Sequence, residues 1–384
     1  MPNKAVRMAL AAILALMTFL VACAPAAAPT PTPAPKAAAT APSAPVTAAP
    51  AAAPSVTASQ PTASTGALQQ LIDGARKEGV VRANLSSTLG EKGAQQLIDA
   101  LNKKYNLSLK LEFTTSANMP SGHAQLMTEL TSGGAPSWDV IMGTVMHPIE
   151  LANRGMLDTF DWTGAFPSIP KQLVYHNGGT LGIGVSYALP IYNPNLVKPA
   201  DVPRKWEDLL DPKWKGKLVV PSPVQVWARL AQSWGEDRVD KLVAGLAQQD
   251  PIYALYPQVT QRVSSGEYPI AAMMDSIVVL PAQARGEPVK FANDVTPAIA
   301  QYYVLSVPKK AAHPNAAKLF AAFELDPEAQ KIWWQATGLA SELVPGSPMV
   351  EQLKGRDVFF STIDFEVKEG GRLVEKYTKL SGQK

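Results

Sequence analysis

Apolar residues recur along this chain in two rhythms. Leu68, Leu71, Ile72 and Ala75 fall at i, i+3, i+4 and i+7, as do Ala94, Leu97, Ile98 and Leu101, and each set predicts one apolar helix face. The spacing returns in Val239, Leu242, Val243 and Leu246 and in Ala316, Leu319, Phe320 and Phe323. Between them lie short apolar runs of buried-strand length: Val80-Val81, Leu109 to Phe113, Val140 to Met142, Leu218 to Val220 and Ile270 to Met274. Pro314 and Pro327 suit first helical residues, and Gly155 and Gly338 suit helix stops. This alternation predicts an α/β body with largely parallel sheets. In such sheets ligands gather where loops leave the carboxyl ends of strands and meet helix N-termini.

The N-terminus follows neither rhythm. A positive start (Lys4, Arg7), an apolar run from Met8 to Leu20 and the closing Leu20-Val21-Ala22-Cys23 have the order of a secretory signal, predicted over residues 1–22. The run is short for a membrane span, which needs about 20 apolar residues. Its closing tetrapeptide resembles the bacterial lipobox, whose cysteine receives a diacylglyceryl thioether and becomes the first mature residue. Cys23 is the only cysteine of the chain, so an exported body can form no internal disulfide, and the thiol reads as an attachment point. Residues 23–65 then carry the lipidated cysteine and a linker of Ala, Pro, Thr and Ser, with Pro29, Pro31, Pro33 and Pro35 closely spaced. Such a segment has too little apolar surface to offset chain entropy and favours extended polyproline II. At about 3.1 Å per residue it spaces the body up to roughly 100 Å from a bilayer.

Residues 66–384 exceed the size at which one core stops growing, so two lobes are expected. The net charge of +3 is small for the length and no Lys/Arg run stands out, which gives nucleic acid no support as a partner. No catalytic signature survives inspection. Gly216-Lys217-Leu218 lacks the phosphate-loop pattern, with Asp211 at its first glycine position and Leu218 at its hydroxyl position. Gly182-Ile183-Gly184 is followed by Tyr187 where a dinucleotide fingerprint has its last glycine. The histidines are scattered; His147 with Glu150 could offer two metal ligands, but the plainer reading is a solvated helix start at Pro148. The expectation is a protein that is not an enzyme and carries no cofactor or metal. An envelope hydrolase or a sensor lipoprotein is the alternative of another class, since catalytic triads assemble from distant residues.

The stretch from Pro203 to Pro223, Pro-Arg-Lys-Trp-Glu-Asp-Leu-Leu-Asp-Pro-Lys-Trp-Lys-Gly-Lys-Leu-Val-Val-Pro-Ser-Pro, resembles the signature of family 1 extracellular solute-binding proteins, in particular their ferric-iron branch. Trp138 to Ile141, Arg154 to Leu157, Ile191 to Asn193 and Gly266 to Ile270 follow in the matching order. Bottom-up, the signature is scaffold. Trp206 to Leu210 reads as a short helix with Leu209 and Leu210 inward, Asp211-Pro212 as a turn, Trp214 as apolar contact and Gly216 as the bend into a strand. The resemblance implies a type II periplasmic-binding-protein-like fold, with lobe I over 66–188 and 301–345 and lobe II over 189–300 and 346–384. It also implies hinge strands near Val185 to Tyr192 and Ala298 to Leu305. Its implied function is the monomeric receptor of an ABC importer, held outside the cytoplasm by its lipid anchor and delivering a small solute to a permease and ATPase complex.

The strand-end rule then selects candidate solute contacts. Ser86, Ser87 and Thr88 follow the first strand; Thr144 and His147 follow the run at Val140; Tyr192 ends a hinge strand; Ser222 and Trp227 follow the signature; Asp275 and Ser276 follow Ile270 to Met274. The ferric-iron branch carries adjacent tyrosines after its Gly-Glu-x-Pro-Ile stretch, where this chain has Met273-Met274-Asp275-Ser276-Ile277. Tyr302-Tyr303 lies in a hinge strand, where neighbours point to opposite faces and cannot easily share one ion. A ferric-iron receptor is therefore the alternative. The expected solute is a small amine-bearing or zwitterionic molecule, such as an aminoalkylphosphonate or a polyamine, with Asp275 and Trp227 suited to its ammonium.

Overall fold

The computed structural model describes residues 62–115, 118–222 and 225–383. The expected signal peptide, Cys23 and most of the linker lie outside the described residues. The first helix begins at Thr62, inside the expected end of the linker, and runs to Glu78.

Eleven strands among the described residues form one mixed sheet: β1 (Val80–Asn84), β2 (Lys110–Thr114), β3 (Val140–Thr144), β4 (Val174–Tyr175), β5 (Thr180–Tyr192), β6 (Leu218–Ser222), β7 (Ile252–Leu255), β8 (Ile270–Asp275), β9 (Lys290–Phe291), β10 (Ala298–Ser306) and β11 (Val358–Phe360). The order is β2-β1-β3-β10-β5-β8-β6-β7, with β11 on β10 and β4 and β9 on β5. The outer strands pair in parallel, as the sequence rhythm predicts. Every antiparallel pairing involves β5 or β10. One continuous sheet forms because β5 is 13 residues long and crosses from one half of the body to the other.

Side chains divide into two main hydrophobic cores. One gathers Val81, Leu97, Leu101, Val140, Phe320 and Trp333 around β1, β3 and the helices Gly90–Tyr105 and Pro327–Thr337. The other gathers Trp206, Leu209, Trp214, Val219, Trp227 and Met274 around β6 and β8. The expected scaffold role of the signature is visible here. Trp206 and Leu209 are buried in a short 3-10 turn, Trp214 follows, and Gly216 takes φ +69°, a left-handed conformation that costs a glycine little. Leu210 is only half-buried. The first half is tied by Asp139, wholly buried, which takes a fork from Arg82 Nε and Nη2 at 3.2 and 2.9 Å and a bond from His313 Nδ1 at 2.8 Å.

Register fixes where the halves meet. β3 ends at Thr144, paired to Tyr303, which is itself level with Gly184 of β5. β8 ends at Asp275, level with Ala188 of β5. Because β3 and β8 run in opposite directions, their carboxyl ends converge on the crossing segment from either side. The two levels are four β5 residues apart, about 13 Å along the strand.

The first core also holds an acid. Glu324 has no exposed surface; Trp333 Nε1 donates to its Oε2 at 2.5 Å, while Oε1 has no partner among the described residues. Burial pushes it up to about 8, so the folded state holds a proton that the unfolded chain releases above its ordinary value of 4.5. The stability this proton contributes is complete below that ordinary value and is lost as pH rises through about 8. Glu324→Gln keeps an acceptor for Trp333 without a charge to bury. Between these limits wild type is expected to lose about 1.4 kcal/mol per pH unit relative to the variant. Urea unfolding at several pH values reads this directly; parallel stability curves would contradict it.

Candidate functional site

A carboxylate sits where the strand ends converge. Asp275 closes β8 and caps the helix Ser276–Ala284, its Oδ1 accepting from Ile277 N–H at 3.1 Å. Its Oδ2 accepts from Ser186 Oγ on β5 at 2.9 Å and from Gln301 Nε2 on β10 at 3.2 Å. Gln301 Nε2 also donates to Tyr303 Oη at 3.1 Å. One carboxylate thus ties a helix start of the second half to both crossing strands. Burial pushes Asp275 up to about 6, opposed by the Ile277 N–H, Ser186, the charge of Arg229 and Gln301.

Opposite stands the end of β3. Thr144 N–H donates to His147 Nδ1 at 3.0 Å, so the proton of a neutral His147 lies on Nε2. Burial, then His123 and Arg229, hold His147 down at about 4. The rings of His123 and His147 are 5.4 Å apart, and both press on Gly143. A Cβ at Gly143 would lie 2.7 Å from His123 and 3.0 Å from His147, so only glycine fits between them. Arg229, from the helix Gln225–Trp234 that follows β6, is buried at 9 % exposure and forks onto Glu366 through Nε at 3.1 Å and Nη2 at 3.2 Å.

Beside this polar floor a pocket of 460 Å³ lies between the halves. Thr88 and Ala336 line it from the first half; Thr260, Gln261, Ile277, Val278, Pro281 and Arg285 are among its residues from the second. Thr260 is buried, and its Oγ1 has no partner among the described residues. Tyr256 and Thr260 are one turn apart on the helix Tyr256–Ser264, and the phenol of Tyr256 feels the charges of Asp275 and Arg229. The pocket and the floor therefore share that helix and the start of the helix after Asp275.

The sequence-predicted residues distribute unevenly around this site. Thr88 lines the pocket and bonds Ser86 Oγ at 2.8 Å, while Ser87 is an exposed turn residue. Thr144 ends β3 at the floor, and Ser222 ends β6 beside β8, half-buried. Asp275 is at the centre but 7 % exposed, with its oxygens already engaged by protein donors. Ser276 is fully buried and accepts Tyr187 N–H at 3.2 Å, which makes it a fastener. Two expectations are corrected. Tyr192 pairs with Ile270 at the opposite end of β8 from Asp275, so the register carries it away from the others. Trp227 is 0 % exposed, edge-on to Trp206 at 5.7 Å, and its ring belongs to the core. His147 faces inward while Glu150 is exposed and paired with Arg154 at 2.7 Å, so they do not converge.

Tyr302 and Tyr303 do point to opposite faces. Tyr302 stacks on Phe360 at 5.0 Å and bonds Glu342, whereas Tyr303 joins Gln301 and Asp275. Among the described residues no group of three or more His, Cys, Asp or Glu is placed to hold a metal ion.

A family model of bacterial extracellular solute-binding proteins matches residues 96–354. The chain belongs to this family. Solved solute-binding proteins share its fold. Iron-bound HitA of Pseudomonas aeruginosa superposes at TM-score 0.61 with 18 % identity, over 78 % of this chain and 98 % of that one. The substrate-binding protein of an ABC transporter from Agrobacterium tumefaciens reaches 0.65 with 14 % identity, over 79 % and 93 %. AfuA of Actinobacillus pleuropneumoniae, bound to fructose-6-phosphate, reaches 0.60 with 20 % identity, over 79 % and 98 %. No curated protein matches the sequence. The periplasmic-binding-protein-like architecture implied by the Pro203–Pro223 signature is thus the fold of this solute-binding protein, and no helix among its described residues is long and apolar enough to cross a membrane.

Ser186, Gln301, Tyr256 and Arg229 entered the site without a sequence signal of their own, and Tyr303 had one only as half of the adjacent tyrosine pair. Ser186, Gln301 and Tyr303 come from the central, bulged stretch where β5 and β10 pair, where one face looks into the site. Arg229 sits two residues after Trp227 in an unbroken buried run, residues 226–231, that reads as core.

Proposed function

We propose that this solute-binding protein is the receptor of an ABC importer, capturing a small organic solute between two closing lobes and releasing it unchanged to a membrane permease. The observation that carries the reading is the convergence of the β3 and β8 carboxyl ends on one crossing segment, with a pocket lined from both sides of it. At 460 Å³ the pocket has the size of small-molecule sites. The bodies that move are residues 66–188 with 301–345 and residues 189–300 with 346–384, turning about β5 and β10. Cys23 carries the lipid that keeps the receptor at the outer face of the membrane, and the Ala/Pro/Thr-rich segment is its tether.

A zwitterionic solute such as an aminoalkylphosphonate fits this site better than a polyamine. With Trp227 in the core and Asp275 engaged, little remains to hold several ammonium groups. Ferric iron is the second reading, supported by the likeness to HitA and weakened by the divergent Tyr302 and Tyr303.

Thermal unfolding of ligand-stripped protein with 2-aminoethylphosphonate, 4-aminobutanoate, fructose 6-phosphate, ferric citrate and spermidine tests the reading. A ligand at about a hundred times its Kd adds about 2.7 kcal/mol, so at least one compound is expected to raise the melting temperature by several degrees. Thr88→Trp, which puts a large ring at an exposed position of the pocket lining, should erase that shift while the solute-free melting temperature stays close to wild type. No shift with any compound would end the proposal. For the anchor, Cys23→Ser should move the protein from the membrane fraction to the soluble one and abolish incorporation of labelled fatty acid; unchanged partitioning would exclude Cys23 as the attachment.

A further inference from the structure

The donors and acceptors of the cleft floor do not balance among themselves. The floor's charged and ring acceptors are engaged: both oxygens of Asp275 take bonds from Ile277 N–H, Ser186 and Gln301, and His147 Nδ1 takes one from Thr144 N–H. Donors remain. Arg229 commits Nε and Nη2 to Glu366, and among the described residues its Nη1 has no hydrogen-bond partner. Tyr303 Oη accepts from Gln301, and its own proton has no partner beyond a contact with Ser186 Oγ, whose hydrogen goes to Asp275. Tyr256 spends its proton on the sulfur of Met273 at 4.0 Å, a weak acceptor that a better one would displace. Burial and the charge of Asp275 raise both phenols above their ordinary value, so they are neutral donors at physiological pH.

These groups share one place in the fold. β6 lies beside β8 in parallel, with Leu218 opposite Ile270, so the helix carrying Arg229 leaves the sheet next to Asp275. The charge of Arg229 reaches Asp275, Tyr256 and Tyr303, and it also reaches His147, across the cleft on the first half. A buried guanidinium whose charge is met by Glu366 still keeps its Nη1 edge unspent, and that planar edge suits the carboxylate or phosphonate oxygens of an incoming solute.

We propose that Arg229, with Tyr256 and Tyr303, binds the acidic group of the solute, so that the receptor selects compounds bearing a compact carboxylate, phosphonate or phosphate. The proposal rests on the receptor reading above and sharpens it. The acid, not an ammonium, is the part of the solute held at the floor. Any amine or hydroxyl of the solute is then directed outward to the pocket, where Thr88, Thr260 and Gln261 offer hydroxyl and amide contacts.

Calorimetric titration of wild type with matched pairs decides the matter: 2-aminoethylphosphonate against ethanolamine, 4-aminobutanoate against butylamine, and fructose 6-phosphate against fructose. At least one acid is expected to bind, with its acid-free partner binding about a hundredfold more weakly or not at all. Arg229→Gln alone would strand Glu366, so the informative variant is Arg229→Gln with Glu366→Gln. It should match wild type in solute-free melting temperature while losing about ten- to a hundredfold in affinity for the acid. Arg229→Lys, which keeps the charge but not the fork, should fall between. If an acid-free member binds as well as its partner, or the double variant keeps full affinity, the Arg229 assignment is wrong while the receptor reading stands. If wild type binds no member of any pair, and spermidine and ferric citrate also fail, the receptor reading falls and takes the assignment with it.

Discussion

The structure depends on one long strand. β5 runs 13 residues without interruption, and its pairing decides which strand ends meet. Its first part pairs with β10 opposite β3, its last part pairs with β8, and the stretch between belongs to neither parallel half. Since β3 and β8 approach that stretch from opposite directions, the loops at their carboxyl ends face one another. A one-residue slip would reverse every side chain of the crossing segment, placing Ser186 on the outer face and Tyr187, now packed on Phe291, toward Asp275. The bulge between Tyr303 and Val304 lets the strand change register inside the first half without disturbing the face at Gln301 and Tyr303.

Given that register, the chemistry of the floor follows from burial. A carboxylate at the meeting point has to be hydrogen-bonded, and Ser186, Gln301 and Ile277 N–H supply its donors from three different elements. The result joins a helix start of the second half to both crossing strands. A buried guanidinium likewise requires a carboxylate, and Glu366 supplies it from the C-terminal segment, which is also held nearby by the bonds of Ser361 and Thr362 to Gln232 and by the stack of Phe360 on Tyr302. With those requirements met inside the protein, what the floor still offers a solute is mostly donor hydrogens.

Much of the frame was legible in the sequence, and the reasons are physical. Helix faces such as Leu97, Ile98 and Leu101 and strand runs such as Ile270 to Met274 have periods that only one conformation satisfies, and both formed where expected. The strand-end rule brought Thr88, Thr144 and Asp275 to the cleft because it depends only on where strands stop. It failed for Tyr192 because a crossing strand has two ends, and only pairing with β8 shows which one reaches the site. It failed for Trp227 because residues beyond a strand end can turn into the core as readily as into the cleft, and the partner that draws this one inward, Trp206, is distant in sequence. Arg229 was illegible for the same reason: its partners Glu366 and Asp275 lie far along the chain, and pairing across such distances leaves no local pattern.

The central claim is that the two halves close about the β5–β10 crossing onto a solute held between them. Spin labels at Lys92→Cys and Ala284→Cys, both exposed and on opposite sides of the cleft, in a chain with Cys23→Ser, would report that closure by pulsed electron spin resonance. The account predicts that the solute found by titration shortens and narrows the inter-label distance. An identical distance distribution with and without bound solute would contradict it.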